Sequence, residues 1–270
     1  MENTRQSRAA RDFIRVWTVI VLIFIYLPVI CDALSSLSKS RYFSFPIKRW
    51  SMDWWVKTFN SMEIGELVRN SLVIAFAVTI ISTVIAFCGA LAFARYDWKG
   101  KKFFQKAILL PIFFPQPVLG LALLLWFNSI GVPLSWKTAA FAHLVWITPI
   151  VTLVIAIAVY GFDPALEDAA RDLGASRFQI FRMVTLPVLW PGVWSGMLFA
   201  FLLSWGNFPL SLYTTGIDNT VPKWLYSKMV AGYSPMVPTL GTMSTLAAAV
   251  VMIAGGAAVY FIRKARSRNS

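Results

Sequence analysis

The chain has 270 residues, of which 58% are hydrophobic and only 14% charged. A soluble domain is nearer half apolar and about a quarter charged, so lipid is the solvent that accounts for this excess, in keeping with a mean hydropathy of +0.65. The net charge of +13 also fits a nucleic-acid binder, but several uncharged apolar runs of about 20 residues do not belong in one; basic residues collect instead in the cytoplasmic loops of membrane proteins.

In chain order, six stretches are long and apolar enough to cross a bilayer: residues 16–34, 71–94, 107–130, 138–160, 193–215 and 236–262. A span takes about 20 residues as a helix, and these runs are too long for barrel strands. Asp32, near the end of the first span, is the only formal charge among them, and His143 in the fourth is the one other titratable group besides cysteines and tyrosines. Cys31 and Cys88 lie in apolar runs and read as small packing residues, with no disulfide framework or metal site implied. The first span follows basic residues, as a secretory signal does. No small-x-small cleavage site follows Ile30, where the chain runs Cys31-Asp32-Ala33-Leu34, and Leu27-Pro28-Val29-Ile30 lacks the small residues of a lipoprotein signal. A retained first helix is the expectation.

Orientation follows from lysine and arginine. They gather in the N-terminal arm (Arg5, Arg8, Arg11, Arg15), the second-to-third connection (Arg95, Lys99, Lys101, Lys102, Lys106), the fourth-to-fifth (Arg171, Arg177, Arg182) and the C-terminal tail (Arg263, Lys264, Arg266, Arg268). The opposite side carries Lys137, Lys223 and Lys228. Alternate loops agree, and the basic side is cytoplasmic, with both termini. The first-to-second connection dissents with Lys39, Arg41, Lys48, Arg49, Lys57 and Arg69. It is long, also carries Asp53, Glu63 and Glu66, and its Trp50, Trp54 and Trp55 suit a helix at the membrane surface.

The fourth-to-fifth connection, residues 163–187, reads as a capped helical hairpin too short to cross the membrane. Asp163 is a good N-cap, Pro164 suits the first helical position, and Glu167 and Asp168 put negative charge at the positive end of the helix dipole. Leu166, Ala169, Ala170 and Leu173 recur at helical spacing as one apolar face. Gly174 ends the helix in a left-handed conformation. Ser176 and Gln179 then form a capping box for a second helix running toward Pro187. Such a helix either lies in the membrane interface or seats in a groove of a soluble partner, since both modes use the same pattern.

The hairpin resembles the cytoplasmic signature of binding-protein-dependent ABC importer permeases: Glu-Ala-Ala, three residues, Gly, nine residues, Ile-x-Leu-Pro. Here Asp168-Ala169-Ala170 is followed after three residues by Gly174, and nine residues later by Val184-Thr185-Leu186-Pro187, with Asp for Glu and Val for Ile. Asn70-Ser71-Leu72, Ala94-Arg95-Tyr96 and Gly100-Lys101 also look like this family, and the layout is most similar to the second permease subunit of the polyamine type. The resemblance implies an all-α integral membrane protein with about six transmembrane helices, the type I ABC importer permease fold, as one permease domain over residues 1–270. It implies a multi-pass protein of the bacterial cytoplasmic (inner) membrane. Glu167, Asp168, Ala169, Ala170, Gly174, Ala175, Leu186 and Pro187 become the coupling residues, seated on an ABC ATPase dimer. The further partners implied are a second permease, a paralogue giving a heterodimer, a periplasmic or extracellular solute-binding protein, and membrane lipid. No cofactor is expected. The chain has no G-x-x-x-x-G-K-[ST] loop; near Gly100-Lys101, Arg95 occupies the place of the first glycine. ATP must bind elsewhere, so the permease is not itself an enzyme.

The fifth span is interrupted by Ser204-Trp205-Gly206-Asn207-Phe208-Pro209. Glycine and proline in mid-span free backbone groups, which suits either a line of substrate contacts or a packing kink. The reading taken is that Ser204, Trp205 and Asn207 line the pathway of a small polar organic solute, a polyamine or other amine-containing compound. Polyamine permeases imply acidic residues near positions 206 and 207; glycine and asparagine stand there, so a naked polycation gains less electrostatic stabilisation. His143 reads as a hydrogen-bonded helix–helix contact rather than a proton relay. Gly192 and Gly196 are spaced for close helix approach, and Gly255 and Gly256 give the last span a similar face.

The rival readings fit less well. A self-contained secondary transporter or channel needs intramembrane charges for ion coupling, a zinc protease needs H-E-x-x-H, and a membrane serine protease needs a base beside a glycine-framed serine. The topology makes a direct expectation. In right-side-out vesicles, a cysteine at Gly100 is protected from a membrane-impermeant thiol reagent and one at Asp218 is labelled; the reverse pattern inverts the topology.

Overall fold

The computed structural model describes the backbone of residues 2–40, 42 and 44–267 and the side chains of 10–40, 42 and 44–257. Arg41 and Arg268 lie outside the described residues, as do the side chains of Arg5, Arg8, Arg263, Lys264 and Arg266. The described chain is helical: α1 (Glu2–Ser36), α2 (Asp53–Phe59), α3 (Met62–Ala90), α4 (Lys101–Ala107), α5 (Leu110–Phe113), α6 (Gln116–Ser129), α7 (Trp136–Tyr160), α8 (Ala165–Asp172), α9 (Arg177–Ile180), α10 (Leu186–Trp205), α11 (Pro209–Thr214), α12 (Val221–Ala231) and α13 (Met236–Ser267). Wide π turns at Leu91–Arg95 and Phe181–Thr185 continue α3 and lead into α10. Among the described residues, five helices are long and apolar enough to cross a membrane, and a bent pair makes a sixth.

Two expected spans change shape. The third is two pieces, Lys101–Phe113 and Gln116–Ser129, bent by 98°. The cause is Pro115, whose ring disfavours helical backbone at the residue before it; Phe114 is extended, with ψ 131°. The fifth starts earlier than residue 193. The second helix of the hairpin does not stop at Pro187 but continues as one 29-residue rod, Arg177–Trp205. Pro187 falls in the first turn of α10, directly after the π turn Phe181–Thr185, where the regular ladder of bonds is already shifted. The interruption falls at 206–208, between α10 and α11.

The chain divides into two compact units. One comprises residues 1–64 and 225–247. There, α1 keeps its apolar side chains exposed from Phe13 to Ile30 on all sides, the pattern of a helix that faces hydrocarbon. Its far end is held: Thr242 donates to the Asp32 carboxylate at 3.4 Å, beside Gly241, and the Trp55 indole donates to Ser36 Oγ at 3.2 Å. The tryptophan-rich connection does form a helix, α2, carrying Trp54 and Trp55.

The other unit, residues 65–224 and 248–270, contains the principal core. Its centre is α7 against α10, where Ile147, Val151 and Ile155 meet Leu189, Val193 and Ala200, with Ile74 and Val78 of α3 alongside. α7 starts on a capping box between Ser135 and Thr138. Glycines set the α7–α10 distance: a Cβ at Gly192 would lie 2.3 Å from that of Ala158, and one at Gly196 would lie 2.8 Å from Ile155. Gly255 abuts Leu198 in the same way, but Gly256 faces open space, contrary to the expectation of a paired small face. Cys88, expected as a packing residue, is exposed.

Overpacking a tight core costs about 1–3 kcal/mol. Gly192→Ala is therefore expected to lower the thermal unfolding midpoint of the purified protein in detergent, and Gly256→Ala to leave it unchanged or slightly raised. Equal midpoints for the two variants contradict the α7–α10 contact.

Candidate functional site

The fourth-to-fifth connection folds as its capping residues dictate. Asp163 Oδ1 accepts from the Ala165 N–H at 2.9 Å, in the manner of an N-cap, and α8 begins at once. Gly174 has φ +82°, and the Ala175 N–H returns to the Ala170 carbonyl at 3.1 Å; this left-handed closure favours glycine. Ser176 and Gln179 form the reciprocal capping box, at 2.8 and 3.4 Å.

The side chains of α8 divide into two sets. Leu166, Asp168 and Ala169 are exposed, and Leu173 is 89% exposed. An apolar leucine so open on a short helix is a surface without a cover. Among the described residues Asp168 pairs with Arg171 of its own helix, at 2.7 Å. Ala170 and Ala175 are half-buried, and Leu186 and Pro187 are half-buried at the start of α10, set back from the exposed face.

Glu167 points the other way. One carboxylate oxygen pairs with Arg95 at the end of the first π turn, and the other accepts from the Thr185 hydroxyl at the end of the second. The Arg95 and Glu167 side chains are only 18% and 13% exposed, and Thr185 is buried. The Arg95 guanidinium lies 4.9 Å from the Phe162 ring centroid and 5.8 Å from that of Tyr96, in range of cation–π attraction. Burial alone would raise the Glu167 pKa; hydrogen bonds from Arg95 and Thr185 and the charges of Arg95 and Arg171 outweigh it and hold the carboxyl below its ordinary value. Glu167 is an anion at neutral pH. A cavity of about 350 Å³ borders the pair, lined by Arg171, Arg177 and Phe181 among others.

A second polar cluster lies at the interruption of the fifth span. His143 of α7 bridges it: Nδ1 is 2.9 Å from Ser204 Oγ before the break, and Nε2 is 3.1 Å from Ser211 Oγ after it. A neutral imidazole has one donor and one acceptor, and two hydroxyls satisfy both. Asn207 Oδ1 accepts the Leu210 N–H at 3.1 Å, capping α11. Ser204, Trp205 and Asn207 are 4%, 8% and 4% exposed, so in this chain the three lie in a closed, packed site. Beyond α11, Lys223 donates to Thr215 Oγ1 and the Gly216 carbonyl at 2.9 and 2.7 Å. Burial pulls the Lys223 pKa down, with Asp218 opposing.

Sequence reasoning named Ser204 and Asn207, which line one cluster here, but left out Ser211, which is one more serine in a polar stretch until the turn of α11 aims it. It also left out the partners of Glu167. Arg95 carries a signal, a lone charge closing an apolar run; Thr185 carries none. Asn70 and Ser71, quoted only for their family likeness, bind the loop between α11 and α12: Asn70 donates to the Asn219 carbonyl at 3.3 Å, and the Val221 N–H donates to Ser71 Oγ at 2.9 Å.

Comparison with known proteins agrees with this architecture. The family model for the binding-protein-dependent transport system inner membrane component matches residues 81–269. The spermidine/putrescine transport system permease protein PotC of Haemophilus influenzae is 30% identical over 247 residues, which is 90% of this chain and 96% of that protein. The putrescine transport system permease protein PotI of Escherichia coli (strain K12) is 27% identical over 265 residues, 94% of this chain and 93% of that protein. Among solved structures, a bacterial ABC transporter involved in the import of the acidic polysaccharide alginate superposes with TM-score 0.70 at 18% identity, over 94% of this chain and 99% of that one. The MetNI methionine ABC transporter in an inward-facing conformation gives 0.61 at 18% identity, over 75% of this chain and 99% of that one. The fold is that of type I ABC importer permeases, and the chain belongs to the binding-protein-dependent transport system inner membrane component family, in its polyamine-type branch.

Proposed function

We propose that this chain is the permease subunit of an ATP-driven importer in which the hairpin around α8 docks on an ATPase subunit, and that ATP-dependent movement of the hairpin alternates access to a pathway through the spans. The observation that carries the reading is the open apolar face of α8 closed by the left-handed Gly174. Leu166, Ala169 and Leu173 are uncovered, as a helix that fits a partner's groove requires. Asp168 borders that face, and Ala170, Ala175, Leu186 and Pro187 support it from behind. The hairpin lies on the cytoplasmic side, with both termini. The relatives support a second permease, a paralogue, as the other half of the pathway, and an extracytoplasmic binding protein as the source of solute.

The solute is a small polar organic compound, with an amine-containing molecule as the first choice because the spermidine and putrescine permeases are among the relatives. Ser204, Trp205 and Asn207 contact it when the pathway opens. Neutral amide and hydroxyl groups favour a solute that brings hydrogen-bonding groups as well as charge.

Two expectations test these assignments. Gly174→Arg forces a residue with Cβ into the left-handed region, which costs about 1–2 kcal/mol, and pushes bulk into the groove; Ala170→Glu adds a charge beside the docking face. Both variants are expected to insert normally but to lose the ATPase on co-purification, and transport stops. Retention of the ATPase with intact solute-stimulated hydrolysis overturns the docking assignment. For the pathway, Asn207→Leu is expected to lower spermidine uptake while the complex still assembles. Unchanged uptake kinetics across substitutions at Ser204, Trp205 and Asn207 exclude them as pathway residues.

A further inference from the structure

Besides the chain itself and its packing on α9 and the second π turn, α8 is tied to its unit by one acidic side chain, and the geometry of that junction is specific. Glu167 and Asp168 are neighbours in sequence, yet only Glu167 is turned inward. Asp168 pairs with Arg171 one turn along, at 2.7 Å with both side chains more than half exposed, a contact of little consequence. Glu167 instead divides its two oxygens between Arg95, at the cytoplasmic end of the second span, and Thr185, at the head of the fifth. The three residues are far apart in the chain and come from three different elements.

Both partners close a π turn, Leu91–Arg95 and Phe181–Thr185. In the first turn the Tyr96 N–H reaches back to the Leu91 carbonyl at 3.1 Å, a five-residue bond. One extra residue in a turn rotates the downstream side chains by about 100°, so each π turn decides which way its last side chain faces. Such turns recur at functional sites. Arg95 is held by the Phe162 and Tyr96 rings, and Phe162 itself is buried. The junction is held by these contacts and mostly shielded from water, apart from the cavity that borders it; there one broken partner leaves a poorly compensated charge.

We propose that Glu167 is a positioning residue that locks the hairpin to the second and fifth spans, so that a displacement of α8 reaches both spans as one rigid movement. This rests on the reading of the hairpin as the ATPase-docking element and adds how its motion is delivered. The chain itself ties the hairpin to the fourth span (α7) and the fifth (α10); the carboxylate adds the second. Arg95 and Thr185 serve as its anchors, and none of the three needs to touch the ATPase.

The test uses the complete transporter, with both permeases, the ATPase and the binding protein, in nanodiscs. Nitroxide labels at Asp172→Cys on α8 and Val84→Cys on α3, with Cys31→Ala and Cys88→Ala, report the distance across the junction without nucleotide and after ATP–vanadate trapping. In the parent the distance is narrow and the same in both states. In Glu167→Gln and Thr185→Val it broadens and shifts on trapping, while Thr185→Ser behaves as the parent. Stimulation of ATP hydrolysis by the binding protein falls at least about tenfold in the two disruptive variants, the equivalent of losing one hydrogen bond to a charged group. The double variant Arg95→Gln/Glu167→Gln is no worse than Glu167→Gln alone. If the disruptive variants capture the ATPase and keep the parent's distances and stimulation, the lock is wrong while the docking reading stands. If the parent hairpin does not hold the ATPase at all, both fall together.

Discussion

Every backbone N–H and carbonyl in hydrocarbon must find its partner within the protein, and the fold obeys that constraint even where it departs from straight helices. Where the fifth span is interrupted at 206–208, side chains take over the missing bonds. Asn207 accepts the Leu210 N–H, Thr138 donates to the Thr214 carbonyl at 2.7 Å, and Lys223 donates to the Gly216 carbonyl. Ser71 accepts the Val221 N–H as the chain enters α12. These four groups, at the break and at the far end of α11, are answered by side chains from the interruption itself, α7, α12 and α3. An unsatisfied polar group at that depth costs several kcal/mol.

The number and order of spans were legible in the sequence because hydrophobic length is a one-dimensional signal. The hairpin was legible for a similar reason: Asp163, Gly174 and the Ser176–Gln179 pair act on neighbours three or four residues away, and the structure realises each contact. The shape of the third span was partly hidden. Pro115 announced a break, but a 98° bend depends on what the two pieces pack against. The run through Pro187 was hidden altogether, since proline reads as a stop unless it falls in the first turn of a helix. Long-range pairs were the least legible. Nothing near Glu167 in the chain distinguishes it from Asp168; the difference lies in which of two adjacent carboxylates faces Arg95, 72 residues earlier.

Close packing of α7 on α10 has a consequence for the polar cluster. Gly192 and Gly196 bring the two helix backbones together, and this brings His143 within reach of Ser204 further along the same pair. The histidine is thus held as a helix–helix contact, as the absence of a neighbouring carboxylate in its span implied. It differs from an ordinary contact in bridging both sides of the interruption, Ser204 and Ser211. One ring keeps α10 and α11 in a fixed relation while leaving no room for solute between them.

The hairpin and this cluster are two ends of one object. The rod Arg177–Trp205 has 29 residues, about 43 Å at the helical rise, long enough to reach from the hairpin to the His143 site. Its π turn at Phe181–Thr185 lies at the hairpin end, where Thr185 meets Glu167, so the irregular part of the rod is the part that is pinned. Beyond Thr185 the helix is packed on α7 along its length. If the hairpin moves as proposed, the interruption at 206–208 is where a rotation is relieved, and Ser204, Asn207 and Ser211 are the groups that exchange partners there. On the proposed reading these are the groups a solute meets. Their neutrality then matters: a site that opens by breaking hydroxyl–imidazole bonds exposes hydrogen-bonding groups rather than fixed charge, and selects a solute that can replace those bonds.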